Sequence, residues 1–310
     1  MRKACLLAVR ELAEKDPNVV FIGSDITRQN LEGMAADFPD RYFMEGIYEQ
    51  HVIGMAAGMA MCGKKPYINT IATFLTRRCF DQIVVDVCLH DLPVRLLASG
   101  GGTVYAPLGP THIAIEDLAI LRAIPNMTVV APCDAEEMTR LMFASLDWPG
   151  PLYVRIAKGG DQIVSRSEKG FSIGKGIVLH DSGKGGVLIV TTGITAQIAL
   201  ASIQQLENEG ICGGILHMHT LKPLDHALLH QMASRSIGII TIEEHTLMGG
   251  LGSAVLESLS DGGISGLPVL RLGFPDVFTE ELGSQTEIMD KYGISTSGVV
   301  EAARKIMAGN

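Results

Sequence analysis

Glu45-Gly46-Ile47-Tyr48-Glu49-Gln50-His51-Val52-Ile53-Gly54-Met55-Ala56-Ala57-Gly58-Met59-Ala60 sets a carboxylate at the mouth of a helix whose body is almost wholly small and apolar. Gly54 and Gly58 lie one turn apart, so a second helix can approach this backbone closely. Glu49 would then stand beside a desolvated subunit contact, where a carboxyl pKa rises and proton exchange near neutrality becomes feasible. A plainer reading also fits: an acidic residue in a first turn complements the helix dipole. The pattern alone leaves both open.

On either side of this helix, helical patterns alternate with short apolar runs. Val19 to Gly23, Val94 to Ala98 and Thr128 to Ala131 read as buried strands, and Ile115 to Ala123 as a helix. Strands alternating with helices imply a parallel sheet covered on both faces. A polar, glycine-bearing stretch from Lys158 to Gly186 reads as a connection carrying one short strand. The alternation then restarts. Gly186 to Thr191, Gly214 to Met218 and Ile237 to Ile242 read as strands, and Ala196 to Glu209 and Ser297 to Met307 as helices. The expected fold is therefore α/β, two consecutive domains with mainly parallel sheets covered by helices: residues 1–165, a linker at 166–186, and residues 187–310.

Composition agrees. The 310 residues are 47% hydrophobic and 19% charged, enough for two cores, and the net charge of −9 opposes binding to nucleic acid. Six cysteines, at 5, 62, 79, 88, 133 and 212, form no C-x-x-C pair and no His/Cys cluster at zinc spacing, which reads as reduced thiols in a cytoplasmic protein. The first residues run straight into an amphipathic helix rather than a signal peptide. Val52 to Gly63, the most apolar stretch, is too short to span a membrane.

The Glu45 to Ala60 pattern resembles the pyrimidine-binding domain of transketolases and 1-deoxyxylulose-5-phosphate synthases. Thr70 to Gln82 is similar to that family's aromatic cofactor-stacking loop. Gly109-Pro110-Thr111-His112, with Glu116 to Asn126 after it, resembles the G-P-T-H segment and its helix. Thr220 to Asp225 and Glu243-Glu244-His245…Gly249-Gly250-Leu251-Gly252 look like the family's C-terminal domain. Five segments in order, over nearly the whole chain, carry the resemblance.

The resemblance implies thiamine diphosphate as cofactor. Glu49 matches the glutamate that bonds the aminopyrimidine N1′ and assists proton exchange there, while the cofactor performs the difficult chemistry. Phe74 matches the residue stacking on that ring. Ile71 falls where relatives often have another aromatic, and Ile71, Arg77 and Asp25 are expected on the cofactor side. His112 matches a histidine that contacts substrate oxygens or the covalent intermediate. Arg2, Arg155 and Gln29 are expected on the substrate side, the two arginines as a phosphate clamp.

Two positions depart from the transketolase pattern. Gly100 replaces a phosphate-binding histidine, and Leu108 replaces the aspartate that precedes G-P-T-H and reads a substrate hydroxyl. Losing a buried hydroxyl partner costs roughly 1–3 kcal/mol. The ordinary pentose-phosphate pair is accordingly not expected, and a related phosphorylated, sulfonated or deoxy ketose fits better. The glycines of Ser99 to Gly102 lack the spacing of a phosphate loop and read as a flexible active-site loop. Gly249 to Gly252 reads as close helix–strand packing.

In this family the Mg²⁺ or Ca²⁺ that neutralises the diphosphate is held by a G-D-G motif and a later asparagine-rich turn. The chain contains no G-D-G. The resemblance therefore implies a partner subunit carrying that motif, self-association through the pyrimidine-binding domain, and an α2β2 assembly without nucleic acid or membrane. The activity expected is transfer of a two-carbon ketol unit from a ketose to an aldehyde. The alternative is a 2-oxoacid-utilising subunit, of the dehydrogenase, decarboxylase or deoxyxylulose-phosphate synthase type.

Overall fold

Val19-Val20-Phe21-Ile22-Gly23 is buried at every position, as a strand covered on both faces must be. It is β1, near one edge of a sheet with β2 (Tyr42–Met44), β3 (Lys65–Ile71), β4 (Arg95–Ser99), β5 (Thr128–Val130), β6 (Leu152–Ile156) and β10 (Thr220–Lys222). The order is β10-β5-β6-β4-β3-β1-β2, parallel throughout except for β10 against β5. The second sheet contains β7 (Ile177–His180), β8 (Val187–Thr191), β9 (Gly213–His217), β11 (Gly238–Thr246) and β12 (Val269–Phe274). Its order is β12-β11-β8-β9-β7, with only β7 antiparallel. This computed structural model describes residues 1–24, 31–279 and 283–309. No helix in it is long and apolar enough to cross a membrane.

The strand expected within the 166–186 connection is β7, already an edge of the second sheet. The two halves also interlock, because β10 crosses back to the first sheet. Sequence reading assigned no strand to β2, β3, β6, β10 or β12.

The helix Glu49–Met61 buries Val52, Ile53, Ala56, Ala57 and Ala60. Gly54 and Gly58 lie on its exposed side, and a Cβ at Gly58 would meet nothing within 4 Å. The helix packs on the 74–88 segment, which is not a loop. That segment consists of π-helical turns at Phe74–Arg78 and Ile83–Cys88 around one α turn at Phe80–Gln82. The wider turns leave carbonyls outside the ordinary ladder, and side chains take two of them up. The Thr76 hydroxyl donates to Ala72 O at 2.8 Å and the Cys79 thiol to Leu75 O at 2.7 Å.

Ser99 to Gly102 is held rather than flexible. The Gly100 and Gly101 amides donate to Ile156 O, and Gly102 pairs with Ala114. At Gly100 (φ +80°) the place of a Cβ is filled by the Tyr105 ring, and at Gly102 (φ +70°) by the Glu244 carboxylate. A side chain at either position would meet both strain and collision. Gly249 to Gly252 is close packing, as its spacing suggests. The Glu243 carboxylate sits over Gly250 and accepts from the Leu251 and Gly252 amides at 2.6 and 2.7 Å, capping the helix Leu251–Asp261.

A buried polar seam joins the halves. Glu137, on the helix Ala135–Ser145, accepts from the Cys133 amide at 2.7 Å and bonds His217 Nε2 on β9 at 3.0 Å. Burial alone would raise the Glu137 carboxyl, but the His217 ring, by charge and hydrogen bond, holds it at about 2. Burial pushes nearby His219 down to about 4, against the pull of Glu137. A histidine depressed on folding contributes stability that is complete above its unfolded value of 6.5 and is lost as pH falls towards 4. The Glu137 contribution is complete above 4.5 and is lost towards 2. Both losses therefore run in the acid direction. Urea unfolding should show stability falling by about 3 kcal/mol between pH 7 and pH 4, and His219→Asn should flatten that slope.

Candidate active site

The first residue of the helix Glu49–Met61 places its carboxylate against the 74–88 segment. Glu49 is only 5% exposed, and its Oε2 accepts from Arg78 Nη1 at 3.2 Å. The Arg78 guanidinium lies 3.8 Å from the centre of the Phe74 ring. On another side of that ring stands His112, edge-on at 5.0 Å with 70° between the planes. The Thr111 hydroxyl and His112 Nδ1 are 2.9 Å apart. The sequence-predicted Glu49, Phe74 and His112 therefore converge in one cluster, with Arg78 as the added member. Burial pushes the Cys79 thiol beneath them up to about 12, and the charge of Glu49 adds to the rise, so this cysteine stays a thiol.

Arg77 points the other way. It pairs with Glu116, and its Nη2 donates to Ile113 O at 2.7 Å. Arg77, Glu116, Pro110 and Ile113 line one wall of a cleft of about 630 Å³ between the halves, and Met248, Val277 and Phe278 line the other. This size suits a small-molecule site. Ile71 ends β3, half-buried beside Ser99. Arg2 donates from Nη1 to the Tyr105 hydroxyl at 3.2 Å. Asp25 and Gln29 lie outside the described residues.

Arg155, expected as part of a phosphate clamp, is engaged by groups of the protein itself. It is 6% exposed and absent from the cleft wall. Its Nε donates to Asp117 Oδ2 at 3.0 Å, and its Nη2 to Ala114 O at 2.7 Å and Glu244 O at 2.9 Å. The reason is Asp117, fully buried one residue after Glu116, whose carboxylate also accepts from the Tyr153 hydroxyl at 2.6 Å. The bonds of Arg155 occupy Nε and Nη2, and Arg155 also lines a small pocket with Gly101 and Glu244. Gly100, one of the two departures from the transketolase pattern, is matched by the Tyr105 ring in the space a side chain would need.

A buried carboxylate beside an aromatic face and an imidazole suits a planar, nitrogen-bearing ring better than an anion. Arg78, itself planar and a hydrogen-bond donor, takes up that carboxylate and one side of Phe74 here. Its side chain is 46% exposed and can turn into solvent when a ring takes its place on Glu49. A diphosphate-bound Mg²⁺ or Ca²⁺ needs an all-oxygen ligand set. Among the described residues, one group of three His, Cys, Asp or Glu ligand atoms lies within 4.8 Å: Cys133, Glu137 and His217. Its mixed sulfur, nitrogen and oxygen donors are hydrogen-bonded in the seam between the halves and do not suit those ions.

Sequence reasoning did not single out Arg78, Asp117 or Glu244 for these places. A guanidinium two residues before Phe80 carries no periodic signal, because π turns set which way it points. Asp117 and Glu244 stood within quoted segments without a role.

Residues 1–160 match the transketolase pyrimidine binding domain, and residues 174–299 the transketolase C-terminal domain. The chain is 37% identical over 305 residues to a 1-deoxy-D-xylulose-5-phosphate synthase of Geobacter metallireducens, covering 97% of this chain and 48% of that protein. It is 36% identical over 297 residues to a transketolase family protein of Sinorhizobium fredii, covering 94% and 85%. A split gene transketolase, solved as an inactive β4 tetramer, superposes with a TM-score of 0.90 at 36% identity, over 99% of this chain and 98% of that one. The chain spans about half the length of the synthases it matches.

Proposed function

The chain belongs to the transketolase family, and on that premise we propose that it is the pyrimidine-binding half of a thiamine diphosphate-dependent enzyme that transfers a two-carbon ketol unit from a ketose to an aldehyde. The observation carrying this reading is the convergence of a buried Glu49, the Phe74 ring and His112. When bound, thiamine diphosphate supplies a carbon nucleophile that no protein side chain offers. Glu49 is assigned to hold or release a proton at its carboxylate towards a pyrimidine nitrogen, in a place where water is largely excluded. Phe74 offers the stacking face. His112 and the cleft beyond it are assigned to the sugar oxygens.

The diphosphate and its Mg²⁺ or Ca²⁺ are assigned to a partner chain. Support comes from the likeness to a split gene transketolase. Self-association is assigned to the outward side of the helix Glu49–Met61. Gly54 and Gly58 lie there, with Ile47, Tyr48, Met61, Val85 and Leu89 exposed in the same part of the chain. An α2β2 assembly in the cytoplasm is the arrangement proposed.

One finding favours a second reading, the deoxyxylulose-phosphate synthase type: the 37% identity to such a synthase. A coupled assay of this chain with its partner separates the two, offering ketose phosphates in one arm and pyruvate with an aldehyde phosphate in the other. Turnover of the ketoses is the result expected. Turnover of pyruvate alone selects the synthase reading, and failure to retain thiamine diphosphate contradicts both.

A further inference from the structure

Residues 102–114 form one closed excursion that carries His112 towards the cluster. It leaves and returns through the antiparallel pair Gly102 and Ala114, whose amides exchange bonds of 2.8 and 2.9 Å. Both stems are gripped by buried charged side chains. Glu244 on β11, 3% exposed, accepts at Oε1 from the Thr103 amide and from the Thr103 hydroxyl, each at 2.7 Å. Its carboxylate fills the Cβ position of Gly102, so the stem and the carboxylate fit only because residue 102 has no side chain. At the other stem, Arg155 Nη2 donates to Ala114 O and also to Glu244 O, linking the two grips. Gln285 Nε2 donates to both Glu244 oxygens, at 2.9 and 3.0 Å, and Asp117 holds the Arg155 Nε.

Buried charges are tolerated only where their bonds are filled. Among these bonds, Glu244 and Arg155 each direct one or more to a stem of the same loop. We propose that Glu244 and Arg155 are positioning residues for His112, so that the C-terminal half of the chain sets where the site's imidazole stands. The proposal rests on the reading of His112 as a site residue and gives β11 a task that packing alone does not require. Arg155 reaches the loop through the backbone of Ala114.

Hydrogen exchange on the full chain, read by mass spectrometry, tests the clamp without the partner or the cofactor. Glu244→Ala should speed exchange of the 103–113 amides at least tenfold, with β4 and β8 unchanged within twofold. Glu244→Gln keeps an acceptor oxygen and should recover most of the protection. Thr103→Val, which removes one of the two bonds and little volume, should give an intermediate increase confined to the same loop. Unchanged loop exchange in Glu244→Ala, or an equal increase in every segment of both variants, would overturn the clamp. In the partner complex, Glu244→Ala should lower kcat about tenfold and leave retention of thiamine diphosphate intact. Full turnover by His112→Ala would remove His112 from the site, a failure of the site reading that is distinct from any exchange result.

Discussion

Glu49→Gln is expected to lower turnover of the assembled complex by about a thousandfold, within the range that a positioned acid or base contributes. The change keeps the shape of the side chain and removes its ability to exchange a proton. Glu49 is nearly buried, so no water stands ready to replace it. The fold should barely notice. The partner lost is Arg78, half-exposed and free to turn to solvent, so the variant leaves no charge buried and unpaired. Steady-state kcat alongside urea unfolding separates the two effects. Turnover within tenfold of wild type, in a variant of normal stability, would remove Glu49 from the chemistry and leave it as a helix-start residue.

The second large effect is on stability. Asp117→Ala should cost about 3–5 kcal/mol, because it strips the partner from a buried guanidinium. Asp117 is fully buried, and two groups donate to its Oδ2: the Tyr153 hydroxyl at 2.6 Å and Arg155 Nε at 3.0 Å. Asp117→Asn keeps an acceptor and should lose less. Urea unfolding at pH 7 reads both, and a loss below 1 kcal/mol for the alanine variant would contradict the account of this pair.

Much of this was legible because it is written locally. A continuous apolar run such as Val187 to Thr191 can be read as a strand from its neighbours alone, and β8 follows it. Glu49 stood out as a carboxylate heading a small, apolar helix, but that pattern left its role open and only the family resemblance pointed it towards a cofactor. The parts that were not legible depend on distant partners. Thr220 to Lys222 is three residues long and is a strand only because β5 offers it an edge. The role of Arg155 turns on Asp117, 38 residues away, and the fixity of the Gly100 loop on Glu244, 141 residues from Thr103. The phosphate-clamp expectation for Arg155 did not foresee the buried acid that holds its Nε. Arg78 escaped notice because helical spacing assumes 3.6 residues per turn, and the wider turns at Phe74–Arg78 break that spacing.

The central claim is that Glu49 faces the pyrimidine ring of a bound thiamine diphosphate. A crystal structure of the chain with its partner and the cofactor measures this directly. The account predicts a Glu49 oxygen about 2.6–3.2 Å from a pyrimidine nitrogen, with Phe74 under the ring and Arg78 swung clear. A ring bound elsewhere, with Glu49 still paired to Arg78, would contradict it.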